Sequence, residues 1–335
     1  MVPNMALADA IRERSKSDKI KVRLAYMGSR RGPEAAMSKK AGIPFYGVTT
    51  GKLRRYFDLR NFADCFRVPF GVLEAWLKLG RLKPDLVFSK GGFVAFPVVF
   101  AAWMRGITVV IHESDSVPGL STKMCAPFAK IIVLGYREAE KGLGKYAKKA
   151  LVLGIPIRKE ILEGDKKKAL KLLGFSGEKP VLLVMGGSGG SQEVNNRILS
   201  EKVELGKKYD VLHLLGSGKG KSVREPHYVA LPFVDEEELR HYYALASLAL
   251  SRAGATALAE LEALMLPTLL YPLGLESSRG DQIANAKVMA AKYDFFVIAN
   301  PKKSVLEQLK KLPKRSKKIH PSRTADKIVD LILKP

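Results

Sequence analysis

The sequence predicts an α/β protein built as two Rossmann-like domains, each a parallel sheet covered by helices, facing a cleft. Three observations carry that expectation. Short apolar runs alternate with helical patterns along the whole 335 residues. The runs are continuous rather than alternating, which marks strands buried on both faces. They are also too many for one comfortable sheet, and a Gly/Pro segment, Leu153-Gly154-Ile155-Pro156-Ile157-Arg158, breaks the series near the middle.

Taken in order, residues 1–10 read as the opening of a helix. Strands are expected at 22–26, 45–48, 86–89, 108–111 and 131–134, then at 181–185, 211–215, 248–250, 268–271 and 295–298. Glycine turns follow three of them: Gly91-Gly92, Gly186-Gly187-Ser188-Gly189-Gly190 and Gly216-Ser217-Gly218-Lys219-Gly220. Ligands of parallel sheets bind at such carboxyl ends. None of the three turns is a Walker A loop, and none carries the full dinucleotide fingerprint with its acidic residue. Each alone is weak; their shared position favours phosphate binding.

The most informative stretch is 250–285. A strand ends near Leu250, a small-residue turn follows (Arg252-Ala253-Gly254-Ala255-Thr256), and a helix opens with Glu260 in an early turn. Unpaired N–H groups and the helix dipole make such a junction an anion site. A carboxylate just inside the helix can bind ribose hydroxyls. The next loop brings Asp281, Gln282 and Asn285, which can bind sugar hydroxyls. The local pattern fits equally an ordinary β–turn–α unit with a helix-stabilising Glu.

Composition bounds the class. The chain is 47% hydrophobic with mean hydropathy −0.03, so it can bury proper cores. Two cysteines, Cys65 and Cys125, cannot make a disulfide framework, which fits a reducing cytosol. The longest apolar candidate, 93–104, is too short for a membrane span and contains Pro97. No signal peptide is visible. Lys and Arg number 57 against 33 Asp and Glu, a net charge of +24. That field favours anionic partners: nucleic acid, anionic lipid or phosphorylated substrates. No recognition-helix motif or zinc spacing is present, so no nucleic acid is expected. The lysine runs at 166–168, 310–311 and 314–318 read as solvated faces.

Several ordered motifs resemble a known family. They are KPDLVFSKGGFVAFPVVFAAWMRGITVVIHESDSVPGLSTK (83–123), GIPIRKE (154–160), LLVMGGSGGSQEVNN (182–196) and the 250–285 stretch. Together they resemble the MurG-type transferases, which add N-acetylglucosamine from UDP-N-acetylglucosamine to the lipid-linked muramyl-pentapeptide precursor of peptidoglycan. No Asp-x-Asp metal motif stands out in the donor segment, so no metal or cofactor is expected. The resemblance implies the GT-B architecture and an inverting displacement. It implies an acceptor-binding, membrane-associating domain over 1–157 plus a C-terminal helix at about 321–335, and a UDP-sugar domain over 158–320. It leaves open a UDP-sugar binder without turnover, and a transferase for another lipid acceptor.

Roles carry over by position. Glu260 matches the carboxylate on the ribose hydroxyls. Gly254, Ala255, Thr256 and Ala257 match the turn and helix start under the diphosphate. Asp281 and Gln282 match the polar pair on the sugar, and Asn285 belongs to the same motif. Arg158 and Ser188 match residues near the nucleotide, and Val234 the apolar residue at the uracil. Arg252 and Asn195 sit at further motif positions. On the acceptor side, Gly91, Gly92 and Phe93 match a second glycine turn facing the undecaprenyl diphosphate. The family usually has Tyr at Phe93, His-Glu-Gln-Asn where this chain has His112-Glu113-Ser114-Asp115, and Asn at Thr122. Asp115 and Glu113 are the expected general-base candidates; His112 reads as a packed histidine ending a buried strand.

The family also associates with the cytoplasmic face of the cell membrane, peripherally, through an apolar patch rimmed by cations. Here Leu53, Tyr56, Phe57, Phe66, Phe70, Leu73, Trp76 and Leu77 are interleaved with Lys52, Arg54, Arg55, Arg60, Arg67 and Lys78. Such a segment can lie on an anionic membrane surface, or pack on the core, with different residues doing each.

At the start of the chain, the family has a strand and a Gly-Gly-x-Gly-Gly-His loop before the segment that 1–10 matches. The loop supplies phosphate donors and a histidine base. His112, His213, His227, His241 and His320 all lie elsewhere. Either the native start lies upstream, or the chain is a degenerate copy. The upstream start is preferred, because the donor motifs look intact and a sheet lacking its first strand leaves backbone groups unpaired.

Overall fold

The computed structural model describes residues 2–30, 32, 34–51, 60–92, 94–187, 189–274, 280–316 and 322–333, with backbone alone for 2 and 60–66. The chain forms two compact units, Met1–Pro156 with Arg323–Pro335, and Ile157–Ser322.

Unit 1 runs α1 (Val2–Ser17), β1 (Tyr26–Ser29), α2 (Glu34–Lys40), β2 (Phe45–Val48), α3 (Arg60–Leu82), β3 (Leu86–Ser89), α4 (Ala95–Met104), β4 (Thr108–Glu113), α5 (Leu120–Cys125), β5 (Ile131–Leu134) and β6 (Ala150–Val152). Strands β3-β4-β5-β6 form one parallel sheet, and β1-β2 a separate parallel pair. Among the described residues no ladder joins β1 to β3.

Side chains of a strand alternate between faces. Val109, Ile111, Ile132 and Leu134 pack with Val99, Ala101 and Ala102 of α4. Their neighbours Val110 and Val133 point the other way, into a core with Leu7 and Ile11 of α1. Both faces are covered, which is why β4 and β5 read as continuous apolar runs. Removing a fully buried side chain such as Ile132 down to Ala costs about 2–5 kcal/mol.

The expected strand at 22–26 is a correction. The ladder is Tyr26–Ser29, paired with Phe45–Val48. Val22 and Leu24 pack against the second core without pairing. The apolar pattern had registered their burial, which does not require a ladder.

Unit 2 runs α6 (Lys166–Leu173), β7 (Val181–Met185), α7 (Gln192–Gly206), β8 (Asp210–Leu214), β9 (Val223–Glu225), β10 (Tyr228–Leu231), α8 (Glu236–Leu245), β11 (Leu248–Ser251), α9 (Ala255–Ala263), β12 (Thr268–Leu270), α10 (Asp281–Lys292), β13 (Phe296–Ile298) and α11 (Val305–Leu309). The sheet order is β13-β12-β11-β7-β8-β10-β9, parallel except for β9 against β10. That hairpin has no counterpart among the expected strands. The chain then returns to unit 1 with α12 (Thr324–Leu333), whose Ile328 and Val329 share a core with Leu7 and Ile11.

The lysines at 166–168 are exposed on α6, as a solvated face. Asp165 caps that helix, accepting from the N–H groups of Lys167 and Lys168. No helix among the described residues is long and apolar enough to cross a membrane.

Candidate functional site

In unit 2 the carboxyl ends of β7, β8, β11 and β12 each feed a loop of the expected site. After β7 and β8 the two glycine turns press together. Gly190 has φ +65°, and a Cβ there would lie 2.0 Å from Leu215 O. Gly216 has φ +95°, and its Cβ would lie 2.2 Å from the Gly190 Cα. Only glycine satisfies both the handedness and the approach.

Asn195 locks this contact. Its Nδ2 donates to Leu215 O at 3.1 Å, and its Oδ1 lies 3.1 Å from His213 Nε2. His213 Nδ1 in turn meets the Tyr228 hydroxyl at 2.9 Å. Burial lowers the His213 pKa to about 4, so the imidazole is neutral at pH 7. Asn195 therefore positions the loops from within. Ser188 lies outside the described residues.

After β11, Gly254 caps α9 with extended backbone and no side-chain acceptor, so the first N–H groups, at Ala255, Thr256 and Ala257, have no capping partner. A Cβ at Gly254 would meet nothing within 4 Å. The junction is thus open, with helix-dipole and N–H groups available to an anion. Arg252, just before it, is buried. Its guanidinium donates to Tyr271 O at 3.2 Å, Glu193 Oε2 at 3.1 Å and Ser191 Oγ. It ties the loop after β7 to the ends of β11 and β12.

Glu260 lies one turn into α9, is buried, and accepts a 2.8 Å hydrogen bond from the Tyr243 hydroxyl of α8. Burial raises its pKa; the Tyr243 bond and the charge of Arg158 act against that rise. Arg158 pairs with Glu236 at the start of α8. Val234, half-buried, lies in the loop that leads into α8. Asn285 of α10 donates to Ala253 O at 3.2 Å, steadying the turn before α9. Gln282 accepts from Leu273 N at 3.1 Å, and Asp281 opens α10.

The sequence reading missed Tyr243 and Arg315. Arg315 Nη1 donates to Tyr243 O at 2.8 Å and Ala246 O at 2.6 Å, and its Nη2 to Leu264 O at 3.4 Å. One guanidinium thus closes the carboxyl ends of both α8 and α9, the helices that carry Tyr243 and Glu260. It had read as part of a solvated lysine run.

Unit 1 carries its own loop cluster at the ends of β3 and β4. Gly91 and Gly92 both have positive φ, +82° and +86°. Ser121 donates to Gly92 O at 3.0 Å, tying the turn to α5. Phe93 lies outside the described residues.

Glu113 and Thr122 meet each other in the loop after β4. Glu113 is buried; Oε1 accepts from Asp115 N at 3.0 Å, and Oε2 from Gly119 N at 2.8 Å and Thr122 Oγ1 at 2.6 Å. Its oxygens hold the 114–122 loop together. Thr122 is buried with its hydroxyl engaged there. Asp115 is half-buried at the start of the loop. His112 is buried, with Nε2 2.9 Å from Gly154 O, and burial followed by the charge of Lys90 holds its pKa well below the usual value.

On the described part of α3, Ala75 and Leu79 are buried while Phe70, Leu73 and Leu77 are 58%, 53% and 49% exposed. Both faces are apolar, so the core-packing and outward-facing readings hold for different residues. Trp103 and Met104 of α4 are exposed as well. Arg105 stacks its guanidinium 3.9 Å from the Trp76 ring centre. Lys78 is tied to Glu74 and Gly47 O. Lys52, Leu53, Arg54, Arg55, Tyr56 and Phe57 lie outside the described residues, and Arg60 and Phe66 are described only as helix backbone.

Comparisons with known proteins agree with this architecture. The glycosyltransferase family 28 N-terminal domain matches residues 1–134, and the family 28 C-terminal domain residues 181–332. The UDP-N-acetylglucosamine–N-acetylmuramyl-(pentapeptide) pyrophosphoryl-undecaprenol N-acetylglucosamine transferase 2 of Bacillus cereus is 41% identical over 86% of this chain and 80% of its own length. The corresponding transferase of Lachnoclostridium phytofermentans is 43% identical over 86% of this chain and 79% of its own. Among solved structures, Acinetobacter baumannii MurG superposes with TM-score 0.68 at 21% identity, over 98% of this chain and 95% of that one. A UDP-GlcNAc 2-epimerase of Neisseria meningitidis superposes with TM-score 0.63 at 13% identity, over 100% and 98%. That second likeness shows that this fold also carries a different chemistry.

The fold is that of a nucleotide-sugar enzyme with two Rossmann-like units. The chain belongs to glycosyltransferase family 28.

Proposed function

We propose that the chain transfers N-acetylglucosamine from UDP-N-acetylglucosamine to the 4-hydroxyl of an undecaprenyl-diphosphate-linked muramyl-pentapeptide, the step from lipid I to lipid II. The observation that carries the reading is the α9 junction: an open helix N-terminus at a strand end, with a buried, hydrogen-bonded Glu260 one turn further on. The N–H groups of Ala255, Thr256 and Ala257 take the diphosphate, Glu260 the ribose hydroxyls, Asp281 and Gln282 the sugar, and Val234 the uracil. Arg158 adds positive charge beside Glu260. Arg252, Asn195 and Asn285 hold these loops in place. This donor role falls to unit 2.

Unit 1 takes the acceptor, with its diphosphate at Gly91 and Gly92. The acceptor oxygen attacks the anomeric carbon, its proton passes to Asp115, and the bond from that carbon to the UDP oxygen breaks with inversion. Charge on the departing diphosphate is met by the α9 N-terminus. No metal or cofactor enters the reading. The enzyme works peripherally at the cytoplasmic face of the membrane, its exposed Phe70, Leu73, Leu77 and Trp103 meeting an anionic lipid surface that the net charge of +24 attracts.

The test is direct: the full chain, UDP-N-acetylglucosamine and a diphosphate-linked muramyl-pentapeptide, with product and UDP measured together. Equal release of both supports transfer. UDP binding without turnover would leave a UDP-sugar-binding protein, and turnover only on another polyprenyl acceptor would change the substrate.

A further inference from the structure

Lys90 is the residue that neither the sequence motifs nor the reaction accounts for. It stands between the end of β3 at Ser89 and the positive-φ turn Gly91-Gly92. Its Nζ is sealed from solvent and has no hydrogen-bond partner among the described residues. An unpaired ammonium in such a place is expensive, and buried charges are normally paired.

The obvious internal partner makes no hydrogen bond to it. Glu113 is close enough for its field to favour the charged lysine, as is that of Asp115. Yet the Glu113 oxygens already accept from Asp115 N, Gly119 N and Thr122 Oγ1. The carboxylates therefore supply field without a hydrogen bond to the amine, and burial still brings its pKa down to about 7. His112, the remaining titratable neighbour, is itself held neutral. The amine belongs to a residue adjacent to a turn over which space is open: a Cβ at Gly92 would meet nothing within 4 Å.

We propose that Lys90 is a ligand for the diphosphate of the lipid-linked acceptor, closing its ammonium on phosphate oxygens seated over Gly91 and Gly92. The proposal rests on the assignment of the acceptor to unit 1 and names the group that grips it. Compact, rotatable and cationic, a lysine suits a diphosphate as a point charge. The ligand completes the missing pair, so the lysine becomes fully protonated when the anion binds. Glu113 then has a second effect: by shaping the 114–122 loop it fixes the carboxylate field in which Lys90 waits.

The experiment uses the full chain and two variants, Lys90→Met and Lys90→Arg. Inorganic pyrophosphate is the probe, measured as an inhibitor competitive with the acceptor, alongside KM for the diphosphate-linked acceptor, Kd for UDP and the melting temperature. Met fills the lysine's volume without its charge. The expected result for Lys90→Met is a rise of about tenfold or more in both the pyrophosphate inhibition constant and the acceptor KM. UDP binding and melting temperature stay unchanged, and Lys90→Arg recovers part of the loss. Isotope-detected titration of the Lys90 amine should show its pKa rising when pyrophosphate is added.

Wild-type pyrophosphate binding by Lys90→Met, or no pyrophosphate binding by the parent chain, overturns the proposal. So does an equal weakening of UDP and pyrophosphate, which would mark a structural role. The underlying assignment fails separately: Lys90-dependent pyrophosphate binding without turnover of the muramyl acceptor would keep the phosphate site and discard that acceptor.

Discussion

Tyr243 and Glu260 sit on different helices, α8 and α9, and are joined by a 2.8 Å hydrogen bond buried in unit 2. The phenol donates to the same carboxylate that the proposed reaction uses on the ribose. Because that bond favours the ionised form while burial opposes it, its removal raises the Glu260 pKa further. Nucleotide binding needs the ionised carboxylate and is lost as pH falls through that pKa. Tyr243→Phe should weaken UDP binding about tenfold and move the acidic limb of the binding profile to higher pH. Calorimetric titration with UDP across pH checks both; an unmoved limb would show that the hydroxyl does not tune Glu260.

Glycine positions separate folding from binding. Gly190→Ala and Gly216→Ala place a methyl within 2.0 Å and 2.2 Å of backbone atoms, at positive φ. Each should destabilise unit 2 by more than ~2 kcal/mol in urea unfolding. Gly254→Ala has ordinary extended backbone and open space, so its stability should change by less than ~0.5 kcal/mol. Its methyl nevertheless stands at the mouth of α9 and should weaken UDP binding several-fold.

His213 predicts an acid limit for stability. Its folded pKa of about 4 lies below the ordinary 6.5. A depressed folded value means stability that is complete above 6.5 and is lost as pH falls toward 4. The full loss is roughly 3 kcal/mol. His213→Gln, which keeps polar contact with Asn195 and Tyr228, should flatten this slope. Urea midpoints between pH 7 and 4 are the measurement, and an unchanged slope in the variant would assign the acid sensitivity elsewhere.

Arg315 serves carbonyls at the ends of two helices. Arg315→Ala should cost about 3 kcal/mol, read from thermal unfolding. Lysine should rescue little, since one ammonium cannot span both α8 and α9.

The outward face of α3 predicts vesicle binding without a role in stability. The triple variant Phe70→Ser, Leu73→Ser, Leu77→Ser should float poorly with phosphatidylglycerol vesicles yet melt as the parent chain does. Equal flotation of the two would remove this face from the membrane reading.

Much of the fold was legible because burial on both faces leaves a mark: β7, with all five residues buried, could hardly be read otherwise. β9 left none, since Val223, Arg224 and Glu225 are exposed; its partner β10 is a short run, Tyr228 to Leu231, that is buried but was not picked out. Glu260 was found because its distance from the turn places it one helical turn inside α9. Tyr243 was not, because a buried tyrosine in an amphipathic helix looks like any core aromatic until the fold brings a carboxylate to it. Glu113 and Asp115 looked alike in sequence; the return of Gly119 and Thr122 onto Glu113 distinguishes them.

The return of the chain in α12 has a consequence for how the protein is made. Ile328 and Val329 complete a core begun by Leu7 and Ile11, and every residue of unit 2 is synthesised between them. Unit 2 is contiguous and can close as soon as it has emerged from the ribosome, whereas the core of unit 1 is completed only when α12 follows it. Val110 and Val133 can cover part of the apolar side of α1 early, but the part that Ile328 and Val329 cover stays open until unit 2 has been made.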